Sequence, residues 1–258
     1  MVFTPPPGDL VAYGPDANCT LTTCPVTSSI YEYRPSLTTN SVFIALFSLA
    51  LLLHLFLSVR SREWTFLTCM TLGCVSEVIG YGGRIMLYAD PFSFGGFLMQ
   101  IICITIAPVF YCAAIYVLLA RTVRMLGVQH SRFDPRWFYY GFLSCDIVSL
   151  VLQSLGGAMS SQSHGQSQVA NDLALAGLSF QVITLIAFIG LCIDYAVRWR
   201  RTVGPTPLET TFKVFVAFLS AAILLILVRC AYRIDELSEG YSGPLISNEG
   251  LFVGLEGV

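Results

Sequence analysis

The chain has 258 residues, of which 55% are hydrophobic and only 12% charged, and its mean hydropathy is +0.71. Soluble domains carry about twice that share of charge, so the composition describes an integral membrane protein and excludes a soluble globular one. A formal net charge of −2 with a single lysine, Lys213, excludes a nucleic-acid partner, and no G-x-x-x-x-G-K-S/T loop offers ATP a phosphate site.

Residues 1–37 are polar and rich in Pro, Thr and Ser. They lack the charged region followed by an apolar stretch that marks a cleavable signal peptide. Asn18-Cys19-Thr20 is a glycosylation sequon, and Cys19 and Cys24 are close enough to close a small disulfide loop. Both suit a segment outside the cytosol, so 1–37 is expected to be an extracellular N-terminal segment.

Residues 38–258 are expected to form a transmembrane helical domain. Apolar runs lie at about 41–59, 64–87, 95–120, 138–159, 173–193 and 211–230, each near the ~20 helical residues that cross a ~30 Å hydrocarbon core. Another apolar run starts at about 250 and stops at Val258, which reads as the stub of a seventh helix. The expected fold is an all-α membrane protein, a heptahelical bundle with six complete helices and a truncated seventh. Orientation follows from basic residues in short loops. The loops after the first, third and fifth spans hold Arg60, Arg62, Arg121, Arg124, Arg132, Arg136, Arg198, Arg200 and Arg201. The N-terminus is therefore expected outside, and the plasma membrane is the expected location.

Ionisable groups inside these runs are the main functional signal, because a charge at the bilayer centre costs about 2.5–3.5 kcal/mol on insertion scales. Glu77 and Arg84 lie seven residues apart in the second span and so share one side of a helix. Glu77 reads equally as a functional acid or as half of a buried ion pair, whereas Arg84, near its helix end, could snorkel to the interface. Asp146, Ser149, Gln153 and Gly156 follow i, i+3, i+7, i+10 spacing and make one polar face of the fourth span. With Gln181, Arg229 and Arg233 they place polar groups between mid-membrane and the outer surface, as an outward-opening cavity would require. The competing reading is a set of interhelical hydrogen bonds, about 0.6 kcal/mol each, which is preferred for Gln153 and Gln181 taken singly. Pro108 in the third span reads equally as a kink that frees a carbonyl at mid-depth or as a neutral packing kink of the kind common in membrane helices. Gly80, Gly82, Gly83, Gly156 and Gly157 would allow close helix approach.

The three histidines lie in different segments without metal-ligand spacing, and no Ser/His/Asp or H-E-x-x-H arrangement is present. The chain is therefore expected to be no enzyme and to need no metal or cofactor.

Four ordered motifs carry a family resemblance. They are Glu77-x-x-Gly80-Tyr81-x-x-Arg84; Ala107-Pro108 with Tyr111, Ala114 and Tyr116; Asp146-x-x-Ser149-x-x-x-Gln153-x-x-Gly156-Gly157; and Arg229-x-x-Tyr232-Arg233-x-x-Glu236, followed by Gly240 and Glu249. Over roughly residues 36–258 the chain resembles the fungal lipid-translocating exporter family, also called RTA-like proteins from resistance to aminocholesterol. The resemblance implies seven transmembrane helices, export of amphiphilic lipids such as sphingoid long-chain bases, and resistance to toxic lipids, sterol analogues or azoles. In one branch it implies porphyrin or haem movement.

The expected partners are thus membrane lipids and an amphiphilic small molecule. Glu77 and Asp146 could hold a cationic amine, and Tyr81, Arg84, Pro108, Tyr111, Gln153, Gln181, Arg229, Arg233 and Glu236 complete the candidate substrate-binding set. A heptahelical lipid or stress receptor is the rival reading. It would favour a structured basic third loop and a long cytosolic tail.

Overall fold

The computed structural model describes residues 10–12, 14, 16–29, 31–127, 129, 134–162, 168–203, 209–238, 250 and 254–255, with the side chains of 135–138, 160–162 and 203 left aside. A short 3-10 turn at Val26–Ser28 precedes six helices: α1 (Leu37–Ser61), α2 (Trp64–Ala89), α3 (Phe94–Leu126), α4 (Pro135–Gln162), α5 (Gln168–Val203) and α6 (Thr210–Ser238). Each contains a stretch long and apolar enough to cross a membrane, and no strand occurs among the described residues. The all-helical membrane bundle expected from the sequence is therefore what forms. The anticipated seventh span falls almost wholly outside the described residues.

Local chemistry sets where the helices begin and end. Ser36 caps α1, accepting from the Thr39 amide, and Ser93 caps α3, accepting from the Gly96 amide. Such caps satisfy N–H groups that the helix itself leaves unpaired. Arg62 closes α1 in the left-handed conformation at φ 57°.

The principal interfaces are α2 on α3, α4 on α5 and α1 on α2, and α3 also touches α4 and α6. Inside a membrane, close helix approach depends on small residues because apolar contact with a neighbour gains nothing over contact with lipid. At Gly83 an added Cβ would lie 2.7 Å from the Gly96 carbonyl oxygen, and at Gly156 2.6 Å from the Ala174 nitrogen. These two positions set the α2–α3 and α4–α5 spacings. Gly80 faces Ile104 in the same way, whereas Gly82 and Gly157 have nothing within 4 Å. Of the five expected close-approach glycines, then, two are not at a helix crossing.

The bundle core lies around α3. Tyr116 packs edge-on against Phe188, with ring centroids 4.6 Å apart, and both touch Phe142. The outward faces of α1 and α6 are apolar and exposed, through residues such as Leu52, Phe56, Phe218 and Leu224. Lipid would cover them.

The N-terminal segment is folded onto one end of the bundle. Cys19 and Cys24 form a disulfide that packs on Phe92 in the α2–α3 connection. Tyr31 packs on Leu87 and Phe97. The Arg34 guanidinium stacks 3.9 Å from the Tyr88 ring centroid and donates from Nε to the Tyr88 carbonyl at 2.6 Å. This end is called the amino end below; the starts of α2, α4 and α6 mark the opposite end.

Candidate functional site

Three polar clusters are buried within the bundle. The deepest joins α2, α3 and α6. Pro108 has no N–H, so the carbonyl four residues earlier, that of Ile104, loses its helical partner. Arg229 replaces it: its Nη2 donates to the Ile104 oxygen at 3.2 Å, while its Nη1 lies 2.7 Å from Glu77 Oε1. Glu77 is fully buried and Arg229 nearly so. One guanidinium therefore answers both a buried carboxylate and the carbonyl freed by proline. This is the carbonyl the sequence pointed to, and the ion-pair reading of Glu77 is the one the geometry favours.

The second cluster fixes the N-terminal segment. Arg84 donates from Nε to Asn40 Oδ1 and from Nη2 to the Tyr33 hydroxyl, each at 3.0 Å. Gln100 donates from Nε2 to the Tyr31 hydroxyl at 2.8 Å. Burial pushes the Tyr31 phenol far above its ordinary pKa, against the opposing effect of the Arg84 guanidinium, so it stays protonated. Arg84 does not snorkel to the interface. It is fully buried, because the N-terminal segment covers the helix end, and Tyr33 of that segment and Asn40 of α1 supply its acceptors.

The third cluster holds Asp146 between α3 and α4. Its Oδ2 accepts from the Tyr116 hydroxyl at 2.8 Å, and Ser149 Oγ donates to the Asp146 carbonyl at 2.7 Å. Glu77 and Asp146 thus have different partners on different helix faces and do not converge on one ligand.

A cavity of about 70 Å³ opens between α3, α4, α5 and α6 at the amino end, lined among others by Tyr31, Thr105, Gln153, Leu178, Arg233 and Glu236. A narrower pocket shares Thr105, Leu178 and Arg233 with it and continues past Gln181 to Pro108 and Arg229. The polar lining is partly committed. Arg233 Nη1 is 3.2 Å from Glu236 Oε2, and Gln153 Nε2 donates to Gln181 Oε1 at 3.0 Å. The other atoms of that amide pair, Gln153 Oε1 and Gln181 Nε2, are buried with no hydrogen-bond partner among the described residues. An acceptor and a donor are left for a guest or for water, and a buried unmade bond costs about 1–3 kcal/mol.

Of the sequence-predicted residues, Gln153, Gln181, Arg229, Arg233, Glu236 and Pro108 therefore meet along one path. Glu77 lies behind Arg229, outside the cavity lining. Tyr81 faces α1, stacked on Phe43 and Phe47. Tyr111 lies over Gly73 and Cys74. Asn18 is exposed, and its side-chain oxygen accepts from the Val11 amide at 2.7 Å. Sequence reasoning assigned no role to Tyr31, Tyr33, Asn40 or Gln100. The only advance signal for the tyrosines was two aromatics placed two residues apart just before the first span. Among the described residues, no group of three or more His, Cys, Asp or Glu could hold a metal.

Comparison with known proteins agrees with the motif resemblance. Residues 70–258 match the family described as RTA1 like protein. The chain is 29% identical over 259 positions to the Saccharomyces cerevisiae (strain Lalvin EC1118) protein named sphingoid long-chain base transporter RSB1, covering 86% of this chain and 68% of the relative. It is 30% identical over 203 positions to Protein RTM1 of Saccharomyces cerevisiae (75% and 62% covered). It is 29% identical over 187 positions to protoporphyrin uptake protein 1 of Saccharomyces cerevisiae strain S288c (69% and 59%). No solved structure matches.

Proposed function

The chain belongs to the RTA1-like protein family, and on that premise we propose that it exports amphiphilic lipids of the sphingoid long-chain-base type across the plasma membrane, with its N-terminus outside. The single observation that carries this reading is the cavity at the amino end. It has open hydrogen-bonding capacity at Gln153 Oε1 and an acid, Glu236, in its wall, and the narrower pocket that continues from it adds the open donor Gln181 Nε2. A sphingoid base presents an amine and hydroxyls on one end of a long chain. Glu236 meets the ammonium, and the Gln153–Gln181 pair meets the hydroxyls.

Size decides how much of the substrate enters. Sites that enclose a whole drug-sized ligand span about 300–1,000 Å³, several times the 70 Å³ found. The cavity therefore takes a head group, and the chain stays among apolar helices or lipid. The head-group role expected for Glu77 and Asp146 passes to Glu236, which lines the cavity as they do not, and whose pair with Arg233 must open to receive the ammonium. Glu77 is held by Arg229, and Asp146 receives the Tyr116 hydroxyl. By this orientation the disulfide-closed N-terminal segment faces the exterior, where disulfides persist. Resistance to toxic lipids and azoles would follow from export of such amphiphiles.

A second reading has its own support. Arg233 lines both the cavity and the pocket that continues from it, and a guanidinium there suits a carboxylate of a porphyrin, the cargo named for one relative. The test measures efflux of labelled long-chain base and uptake of protoporphyrin, each per molecule of surface-localised protein. Base efflux should fall at least tenfold in Glu236→Gln and Gln153→Leu and remain in Asp146→Asn, which keeps an acceptor for Tyr116. Unchanged base efflux in the first two variants, with protoporphyrin uptake lost in Arg233→Gln, would overturn the exporter reading in favour of the second.

A further inference from the structure

At the opposite end of the bundle, away from the proposed transport path, lies a larger groove that the export reading does not use. It measures about 350 Å³ and is walled by Thr65 of α2, Ala120, Arg121 and Arg124 of α3, and Tyr139 and Tyr140 of α4. We propose that this groove binds the phosphate head group of an anionic phospholipid from the adjoining leaflet, clamped between Arg121 and Arg124.

Three observations point this way. The first is charge. Arg121 and Arg124 lie three residues apart on α3, so both side chains lie on one helix face. Arg121 pairs with Glu63, which holds its guanidinium in place and leaves the groove one positive charge in excess. Arg124 makes no ion pair among the described residues and is exposed. An unengaged guanidinium beside a fixed one offers a fork for phosphate oxygens, the strong geometry for that anion.

The second is the aromatic rim. Tyr139 and Tyr140 stand edge to face, with centroids 5.1 Å apart, and Tyr140 is exposed. Trp64, beside Thr65, is exposed too. Tyrosine and tryptophan with one wet end settle at the head-group level of a bilayer. The groove therefore sits at the depth where lipid phosphates lie, and the tyrosine hydroxyls are further donors.

The third is shape, and it selects lipid over free phosphate. Helices α2 and α4 both pack on α3 but have no substantial interface with each other. The groove lies over α3 between them, and the exposed apolar Leu72 on α2 and Ile147 on α4 stand seven residues from its Thr65 and Tyr140, on the same helix faces, where they would meet acyl chains. A soluble anion needs no such flank. A lipid with its head on Arg124 and its chains along α2 and α4 would join two helices that the protein itself leaves unjoined. Basic pockets between transmembrane helices are a recurring way to hold anionic head groups.

The purified chain is reconstituted in nanodiscs of phosphatidylcholine, with or without phosphatidic acid. Lipid retention is read by native mass spectrometry and stability by the thermal midpoint. The expected result is selective retention of phosphatidic acid and a raised midpoint. Arg124→Gln should weaken retention roughly tenfold, the equivalent of about 1.4 kcal/mol. Arg124→Lys, which keeps the charge but not the fork, should fall between, and Arg200→Gln, an exposed arginine on α5 outside the groove, should change nothing. Base efflux should persist in Arg124→Gln at a reduced midpoint, which separates this site from the transport path. Equal retention by wild type and Arg124→Gln would overturn the proposal. So would equal retention of the two lipids, or a midpoint rise produced by inorganic phosphate alone in phosphatidylcholine discs.

Discussion

Replacing Arg229 by methionine removes a group that serves two partners at once, and the consequences can be separated. The Glu77 carboxylate, 2.7 Å from Nη1 and fully buried, loses its counter-charge. The Ile104 carbonyl, 3.2 Å from Nη2, loses its donor, and Pro108 cannot supply another. Stranding a buried charge costs about 3–5 kcal/mol and leaving the carbonyl unsatisfied about 1–3 kcal/mol. Together these approach the whole stability of an ordinary domain, about 5–15 kcal/mol, so Arg229→Met should be poorly folded. Glu77→Gln alone should cost less than Arg229→Met, because the amide still offers Oε1 to Arg229, although it leaves that buried guanidinium without its counter-charge. Combining the two removes the stranded charge and should recover most of the larger loss. Adding Pro108→Ala returns an N–H to the Ile104 carbonyl and recovers the rest. Pro108→Ala should therefore stabilise the Arg229→Met background by more than it stabilises wild type. The assay is denaturant unfolding in nanodiscs, arranged as double-mutant cycles. Effects of Glu77→Gln and Arg229→Met that add to within about 0.5 kcal/mol, or an effect of Pro108→Ala that is the same in both backgrounds, would refute the shared-guanidinium reasoning.

Two further outcomes are expected. Gly83→Ala places a Cβ 2.7 Å from the Gly96 oxygen and should cost about 1–3 kcal/mol by prising α2 from α3; Gly82→Ala, with nothing within 4 Å, should hold or raise the thermal midpoint. In a fungal host, glycosidase should shift the mobility of wild type but not of Asn18→Gln, and Cys19→Ser should speed amide exchange across the N-terminal segment by loss of about 2 kcal/mol of cross-link stabilisation; no glycosidase shift in wild type would argue against an external N-terminus.

How much of this could be read in advance depended on the kind of signal each residue carries. The helices were legible because a bilayer demands continuous apolar runs, and each run tracks one helix of the bundle. Glu77 and Asp146 stood out because charge is rare at that depth, whereas Arg229, near the end of its span, counted only among the outer polar groups. Pro108 predicted its own freed carbonyl, since the missing N–H is covalent fact. Partners were not legible. Glu77 and Arg84 lie on one side of α2 as the spacing required, yet seven residues at 1.5 Å each put about 10 Å between them along the axis, enough for one to meet α6 and the other the N-terminal segment. Tyr31, Tyr33 and Asn40 carried no charge, period or motif. Their roles exist only once Arg84 and Gln100 are brought beneath the folded-back segment.

Tyr31 belongs both to the cavity wall and to the stretch of chain that runs through Pro35 into α1. That helix packs substantially only on α2, the loosest attachment of any in the bundle's first half. Cavity wall and helix start are thus one continuous piece of polypeptide. Whatever displaces Tyr31 from its hydrogen bond with Gln100 acts on a stretch of chain that leads directly into a helix packed substantially on α2 alone. Filling the cavity at Tyr31 would therefore be expected to bear on the start of α1 as well. Distance between Tyr31 and α3 would then serve as a gauge for both.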